Sequence, residues 1–219
     1  MISINNTHVD NIVRAIYSAR NAKNSWDKSD SDLEKNILGD KDLKLGMQLA
    51  NAGDDHGKFM RMINVTCDIT APLYWFKEYS TYKVGTVADS CSTMHKIHAK
   101  KFTIDDFSHD HLLDETETLW SNYDGTTYDC SALDFCQITC DVLNHYRDLF
   151  LETQDKKYWW QMIQLLPSSY NQKRTVQLNY QVLKHMYHAR KNHKLDEWHQ
   201  FCDWIETLPH SELITGVEK

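Results

Sequence analysis

The sequence predicts an α+β fold, rich in helix with a few strands. Two observations carry this. "INVTCDIT" (Ile63–Thr70) alternates Ile63, Val65, Cys67 and Ile69 with Asn64, Thr66, Asp68 and Thr70, the period-two pattern of a half-buried strand. Downstream, several segments instead repeat apolar residues at helical spacing, and two of them stop at Pro167 and Pro209.

In chain order, "VDNIVRAIYSAR" is partly apolar, and the polar run "NAKNSWDKSDSD" (Asn21–Asp32) reads as a surface loop. "KDLKLGMQLANAG" (Lys41–Gly53) reads as a helix with Gly53 as its stop. After the strand, "APLYWFKEYS" predicts a short helix with Pro72 in its first turn. "STYKVGTVADSCSTMHK" (Ser80–Lys96) is polar and rich in hydroxyl and titratable groups. "CSALDFCQITCDVLNHYRDLFLE" (Cys130–Glu152) places Phe135, Ile138, Val142, Tyr146 and Leu149 near one helical face. "KKYWWQMIQLLP" does the same with Trp159, Met162, Ile163 and Leu166. "TVQLNYQVLKHMYHARKN" does so with Val176, Tyr180, Leu183 and Tyr187, and "LDEWHQFCDWIETLP" with Trp198, Phe201, Cys202 and Ile205.

A chain of 219 residues with 41% hydrophobic content can bury one sizeable core, so a single domain over 1–219 is expected. The net charge of −7 argues against a nucleic-acid partner. No window approaches the ~18 uninterrupted apolar residues of a membrane span, so no membrane partner is expected. The opening "MISINNTHVDNIV" lacks the charged and apolar regions of a secretory leader. Together with six cysteines this predicts a cytoplasmic protein with reduced thiols.

Four constellations could carry chemistry. Cys91, His95, His98, His109 and His111 are zinc-ligand types, but their spacing matches no common zinc module, and no metal is assigned. Cys136 and Cys140 share a helical face with Cys130 near, which reads as small buried residues. Cys91 stands in a polar loop near Lys83, His95 and Lys96, neighbours that favour a thiolate; Cys91 and Asp89 are the only catalytic candidates. Lys173, Arg174, Arg190, Lys191 and Lys194 form a cationic group in an acidic chain, suited to a phosphate or to a solvated helix end. No glycine-rich phosphate loop, serine elbow or H-E-x-x-H motif is present.

In their order, several segments resemble the flavin-dependent thymidylate synthases. "YSARNAKNSWD" resembles that family's early Ala-Arg segment, and "DDHGKFMRMINVTCDITAP" its His-x-x-x-Phe-Glu-His stretch, strand and Ala-Pro. "WFKEYSTYKVGTVADSCSTMHK" falls where the family carries Arg-His-Arg and the signature Ser-x-Asn-Glu-x-Ser-x-Arg. "QMIQLLPSSYNQKRTVQLNYQVLKHMYHAR" follows its Ala-Arg-x-x-Leu-Pro through Asn-Ala-Arg to a Leu-Arg, and "KLDEWHQFCDWI" its closing helix. The match is thinnest over 102–152.

The resemblance implies an α+β subunit with a small mixed sheet, in a homotetramer. FAD would be the cofactor, and a nucleotide-like small molecule would bind between subunits. In the family, FAD and a folate-borne carbon methylate dUMP. Residue by residue, Arg-His-Arg falls on Thr81, Tyr82 and Lys83, and the signature Ser, Asn, Glu, Ser and Arg on Thr86, Ala88, Asp89, Cys91 and Thr93. Two further arginines fall on Ile163 and Gln181; Asn179 and Arg190 are retained. The implied cofactor side is Tyr82, Lys83, Thr86, Asn179 and Arg190. The implied ligand side is Asp89, Cys91, Thr93, Lys173 and Arg174. A charge-assisted hydrogen bond is worth about 1.5–3 kcal/mol, so neutral residues at three arginine positions change the ligand or its pose. Three readings stay open: a nucleotide- or dinucleotide-binding protein, an active FAD-dependent methylase of a pyrimidine nucleotide, and a non-catalytic protein that sequesters a nucleotide signal.

Overall fold

A computed structural model describes residues 2–216. Helix outweighs strand, 49% against 20%, as the helix-rich expectation requires. In order, the elements are β1 (Ser3–Asp10), α1 (Ile12–Ser18), α2 (Asp40–Asn51), β2 (Asn64–Pro72), α3 (Leu73–Tyr79), β3 (Val87–Ser90), α4 (Thr93–Lys96), β4 (Glu117–Ser121), β5 (Thr127–Cys130), α5 (Ala132–Thr153), α6 (Lys156–Leu165), β6 (Asn171–Asn179), α7 (Tyr180–Arg190), α8 (Asp196–Glu206) and α9 (Glu212–Thr215). One sheet runs β1-β2-β6-β3, and β4 and β5 form a separate two-stranded sheet.

The predicted strand is β2, and its sequence alternation is an alternation of burial: Val65, Cys67 and Ile69 are buried, and their neighbours are half-exposed. β1 pairs with it antiparallel, from Ser3 opposite Thr70 to Asp10 opposite Asn64, with a register shift between Asn5 and His8. β1 lacks a strong apolar pattern because it is an edge strand; most of its residues face solvent. The Lys41–Gly53 helix is α2, ending at Asn51 just before Gly53.

Three local readings are corrected. Pro72 ends β2 and does not open α3, which starts at Leu73; a residue without an N–H is tolerated at a strand end. The stretch from Thr175 to Asn179 is strand, not helix: Val176 and Leu178 are buried while Thr175 and Gln177 are exposed. Asn179 then starts α7, its Oδ1 accepting the Val182 N–H at 3.0 Å. On α5, Phe135, Ile138 and Val142 face solvent, and Cys140, Leu143 and Asn144 are buried. Small thiols on the inner face allow close approach to the neighbouring elements, and a buried amide fixes the helix there. Asn144 accepts from the Phe102 N–H and donates to the Phe102 carbonyl, both at 2.8 Å.

The chain divides into two compact units. The smaller holds residues 71–76 and 90–173. Its core joins Ile97, Phe102, Phe107, Cys140, Leu143 and Met162, with Cys136, Trp159 and Tyr170 packed against them. The larger holds 2–70, 77–89 and the chain from 174. Its core includes Ile16, Met60, Val65, Ile69, Leu183, Trp198, Phe201 and Ile205.

The larger unit contains a buried ion pair. Arg20 follows α1 and binds Asp42 in the first turn of α2; the two side chains are 6% and 0% exposed. The second Asp42 oxygen accepts from Ser29 (2.5 Å) and Ser31 (2.6 Å), and Arg20 also donates to the Ser25 carbonyl at 3.3 Å. Asp30 accepts from the N–H groups of Lys41 (2.9 Å) and Asp42 (3.2 Å), and the first of these contacts holds its carboxyl below the usual range. The polar loop read from the sequence is therefore a fixed strap across the start of α2.

Removing one partner leaves the other charge buried and unpaired. Asp42→Ala is expected to lower stability by about 3–5 kcal/mol in urea unfolding, and Ser29→Ala by about 1 kcal/mol. Equal, small losses for both would refute the central place of the pair.

Candidate functional site

The strap, the later turns of α2 and the 55–62 segment enclose a cavity of about 940 Å³ in the larger unit. Ala19, Leu45, Leu49, Phe59 and Met62 give it apolar walls, and Lys23, Asp55, His56 and Lys58 bring charge and hydrogen-bonding groups. Asn21 and Ser25, whose backbones take part in the turn built around Arg20, also line it. A volume of several hundred Å³, apolar walls and a few polar groups are the usual make-up of a small-molecule site. None of these lining residues was singled out in the sequence. Their signal was nevertheless there: "YSARNAKNSWD" and "DDHGKFMRM", two segments of the resemblance, supply most of the lining.

The residues named from the sequence are distributed over both units. Tyr82, Lys83, Thr86, Asp89, Arg174, Asn179 and Arg190 belong to the larger, and Cys91, Thr93 and Lys173 to the smaller. Within the larger unit, Arg190 donates from Nε to the Tyr82 hydroxyl at 2.9 Å and from Nη1 to Glu78 at 2.7 Å. Its guanidinium lies 5.5 Å from the Tyr82 ring centroid and 4.8 Å from that of Trp198. The same Glu78 oxygen accepts from the Trp198 indole at 3.1 Å and lies 3.2 Å from His193 Nε2. Arg190 and Tyr82, both on the cofactor side the resemblance implies, are thus in contact, and Glu78, which the sequence did not single out, binds the same guanidinium.

The turn after Tyr82 is closely fitted. The Thr86 hydroxyl donates to the Tyr82 carbonyl at 2.6 Å. Gly85 has φ of 82°, and a Cβ there would lie 2.7 Å from Asn179 Nδ2. Lys83 and Asp89 are exposed, Asp89 on β3. Burial holds the half-buried Arg174 below its ordinary pKa. Gln181, where the resemblance places an arginine, is buried and donates to Asp54 at 2.9 Å; Asp54 in turn contacts His185 at 3.1 Å.

In the smaller unit, Cys91 is exposed, its N–H donating to the Lys173 carbonyl at 2.9 Å and its carbonyl accepting from Gln172 at 2.7 Å. Thr93 opens α4, whose cap is Ser92. Among the described residues, no group of three His, Cys, Asp or Glu side chains is placed to hold a metal ion.

Several solved structures share this backbone over nearly its whole length. One is the flavin-dependent thymidylate synthase ThyX of Helicobacter pylori, complexed with FAD and dUMP. It has a TM-score of 0.67 at 17% identity, covering 97% of each chain. The chain has the flavin-dependent thymidylate synthase fold. A second structure on this fold is the UMP/dUMP methylase PolB of Streptomyces cacaoi, bound with 5-Br dUMP. It gives a TM-score of 0.63 at 14% identity, covering 99% of this chain and 95% of that one. No family model matches the sequence, and no curated protein matches it. The thymidylate synthase fold is therefore kept at an identity where single side chains are free to differ.

Two predictions follow from the local geometry. Glu78→Ala removes the carboxylate that binds both Arg190 and the Trp198 indole, and should cost about 1–3 kcal/mol in thermal unfolding; an unchanged melting curve would show that the carboxylate is dispensable. Burial raises the Cys67 thiol to about 12 and Cys140 and Cys202 to about 11. With iodoacetamide at pH 8, exposed Cys91 should be alkylated first, and those three only after denaturation; mass mapping of the peptides reads the order.

Proposed function

We propose that the chain is a divergent member of the flavin-dependent thymidylate synthase family that binds a nucleotide or dinucleotide. The full-length likeness to structures carrying FAD, dUMP or 5-Br dUMP supports this reading. FAD is the cofactor proposed. The chemistry of the cavity fits such a group: Leu45, Leu49 and Phe59 offer apolar surface for a flat ring, and Lys23 and Lys58 would hold phosphate. Tyr82, Lys83, Thr86, Asn179 and Arg190, the cofactor side the resemblance implies, are not among the residues lining this cavity, so the proposed FAD site rests on the cavity and not on them. When bound, a flavin supplies redox chemistry, and the residues orient it and exclude water.

The proposal stops at binding, because the arginine positions have changed in kind. Gln181 carries no charge, and the partner that orients it is a carboxylate, Asp54. That pair disfavours a phosphate held in the same pose. Whether the ligand turns over separates a methylase from a sequestering protein, and the same experiment reads both.

The assembly proposed is a homotetramer of a single ThyX-like domain, in the cytoplasm. The outward face of α5 supports self-association: Phe135, Ile138 and Val142 are exposed at alternating spacings of three and four, the repeat of a helix–helix seam. Among the described residues, no helix is long and apolar enough to cross a membrane.

Native mass spectrometry of the full-length protein with FAD, dUMP or UMP should show ligand retained on a four-chain species. Lys23→Ala with Lys58→Ala should weaken binding about tenfold or more, from the loss of charge-assisted contacts. A protein that binds none of the three would overturn the proposal. Release of the dUMP C5 proton would identify the methylase, and an unaltered ligand after long incubation the sequestering protein.

A further inference from the structure

The strands β4 and β5 form an exposed hairpin. It is a sheet of its own, and every strand residue except Cys130 is exposed. Its turn is well made: the Asn122 N–H donates to the Thr126 carbonyl at 2.8 Å, the Gly125 N–H to the Asn122 carbonyl at 3.0 Å, and Gly125 takes φ of 86°. Across the strands, the rings of Trp120 and Tyr128 stack at 4.5 Å with an interplanar angle of 11°. Both rings are exposed, at 58% and 47%, with Leu119 at 43% beside them. A two-stranded hairpin alone is marginal in water, and a cluster of exposed aromatic rings is costly to leave wet. The arm also has one sign of charge. From Leu112 to Cys130 it carries Asp114, Glu115, Glu117, Asp124 and Asp129 and no Lys, Arg or His.

The same unit presents a surface of the opposite kind. Trp159 donates from its indole to the Met94 carbonyl at 3.1 Å, which joins α4 to α6. Beside that joint stand exposed Met94, His95, Lys96, Lys156 and Trp160. Lys156 Nζ lies 5.8 Å from the Trp159 centroid and 5.6 Å from that of Trp160, so an apolar, aromatic base is edged with cations. The acid nearest in sequence, Asp155, is engaged by Lys157 at 3.1 Å.

We propose that the β4–β5 hairpin is a clasp that docks on the α4–α6 platform of a second copy of this chain. The two surfaces are complementary in charge and in apolar character. An acidic arm tipped with stacked rings needs a basic surface with apolar patches, and this chain carries one. Reciprocal docking, each copy's arm on the other's platform, obeys a two-fold axis and closes on itself, so it forms a pair and not a filament. The clasp uses residues separate from the outward α5 face and does not depend on which ligand the protein takes.

Carbodiimide joins a carboxylate to an amine in direct contact, so it can be applied to the unaltered full-length protein. An equal mixture of ¹⁴N- and ¹⁵N-labelled chains should give mixed-isotope peptides linking residues 112–130 to Lys96 or Lys156. Links within one isotope only, or none to these lysines, would overturn the clasp. Charge reversal gives an independent reading by sedimentation. Glu115→Lys with Glu117→Lys, or Lys96→Glu with Lys156→Glu, should each weaken self-association at least tenfold, with unchanged circular dichroism. Combining both sets should restore it. A wild-type assembly that neither set disturbs would refute the proposal, whether or not nucleotide binding is found. So would a mass increase only on adding a basic peptide, which would mark another partner.

Discussion

The ion pair between Arg20 and Asp42 is the constraint on which the candidate site depends. The cavity has walls from three parts of the chain, the polar strap, α2 and the 55–62 segment. Only a fixed strap can keep an apolar surface such as Leu45 and Leu49 from being covered by collapse. A buried pair is a poor source of net stability, because desolvation cancels much of the attraction. It is a good source of position, because moving either partner away leaves a buried charge unpaired. Ser29, Ser31 and the Ser25 carbonyl complete the ring of partners, so the polarity of the segment serves geometry more than solvation.

How far the sequence was readable depended on how local each cause was. β2 and α8 were legible because their burial follows the chain's own periodicity. Val65, Cys67 and Ile69 alternate, and Trp198, Phe201, Cys202 and Ile205 fall on one face. β6 was not, because Val176 fits both a strand and the helical pattern that Tyr180 and Leu183 continue, and the arbiter is the sheet beside it. The inner face of α5 was misread because Asn144 outranks the larger apolar residues, and its partner, the backbone of Phe102, lies far away in the chain. The hairpin had a signal that was passed over, the Asp124-Gly125 pair between two runs of strand-forming residues.

Segments of the resemblance line the candidate cavity, and the side chains named from it do not. Arg190 binds Tyr82 and also Glu78, and Glu78 has no counterpart in the motifs that carry the resemblance. The cavity's lysines sit in segments whose overall likeness was recognised and whose individual residues were not. Fold is held by many weak contacts spread along the chain, so it survives at 17% identity. Ligand choice rests on a few charges, which can be exchanged while the backbone stays.

The amide of Asn144 has a further consequence for α5. A helix is usually oriented by its greasier side, so an apolar outer face would compete with the inner one for the interior. Here the angular setting is pinned by a polar latch: turning α5 by one residue would leave the Asn144 amide and both backbone groups of Phe102 without partners at once. The latch thereby shares with Cys140 and Leu143 the task of deciding which way the helix faces. Phe135, Ile138 and Val142 are at liberty to change with the surface they meet, and the fold beneath them need not respond.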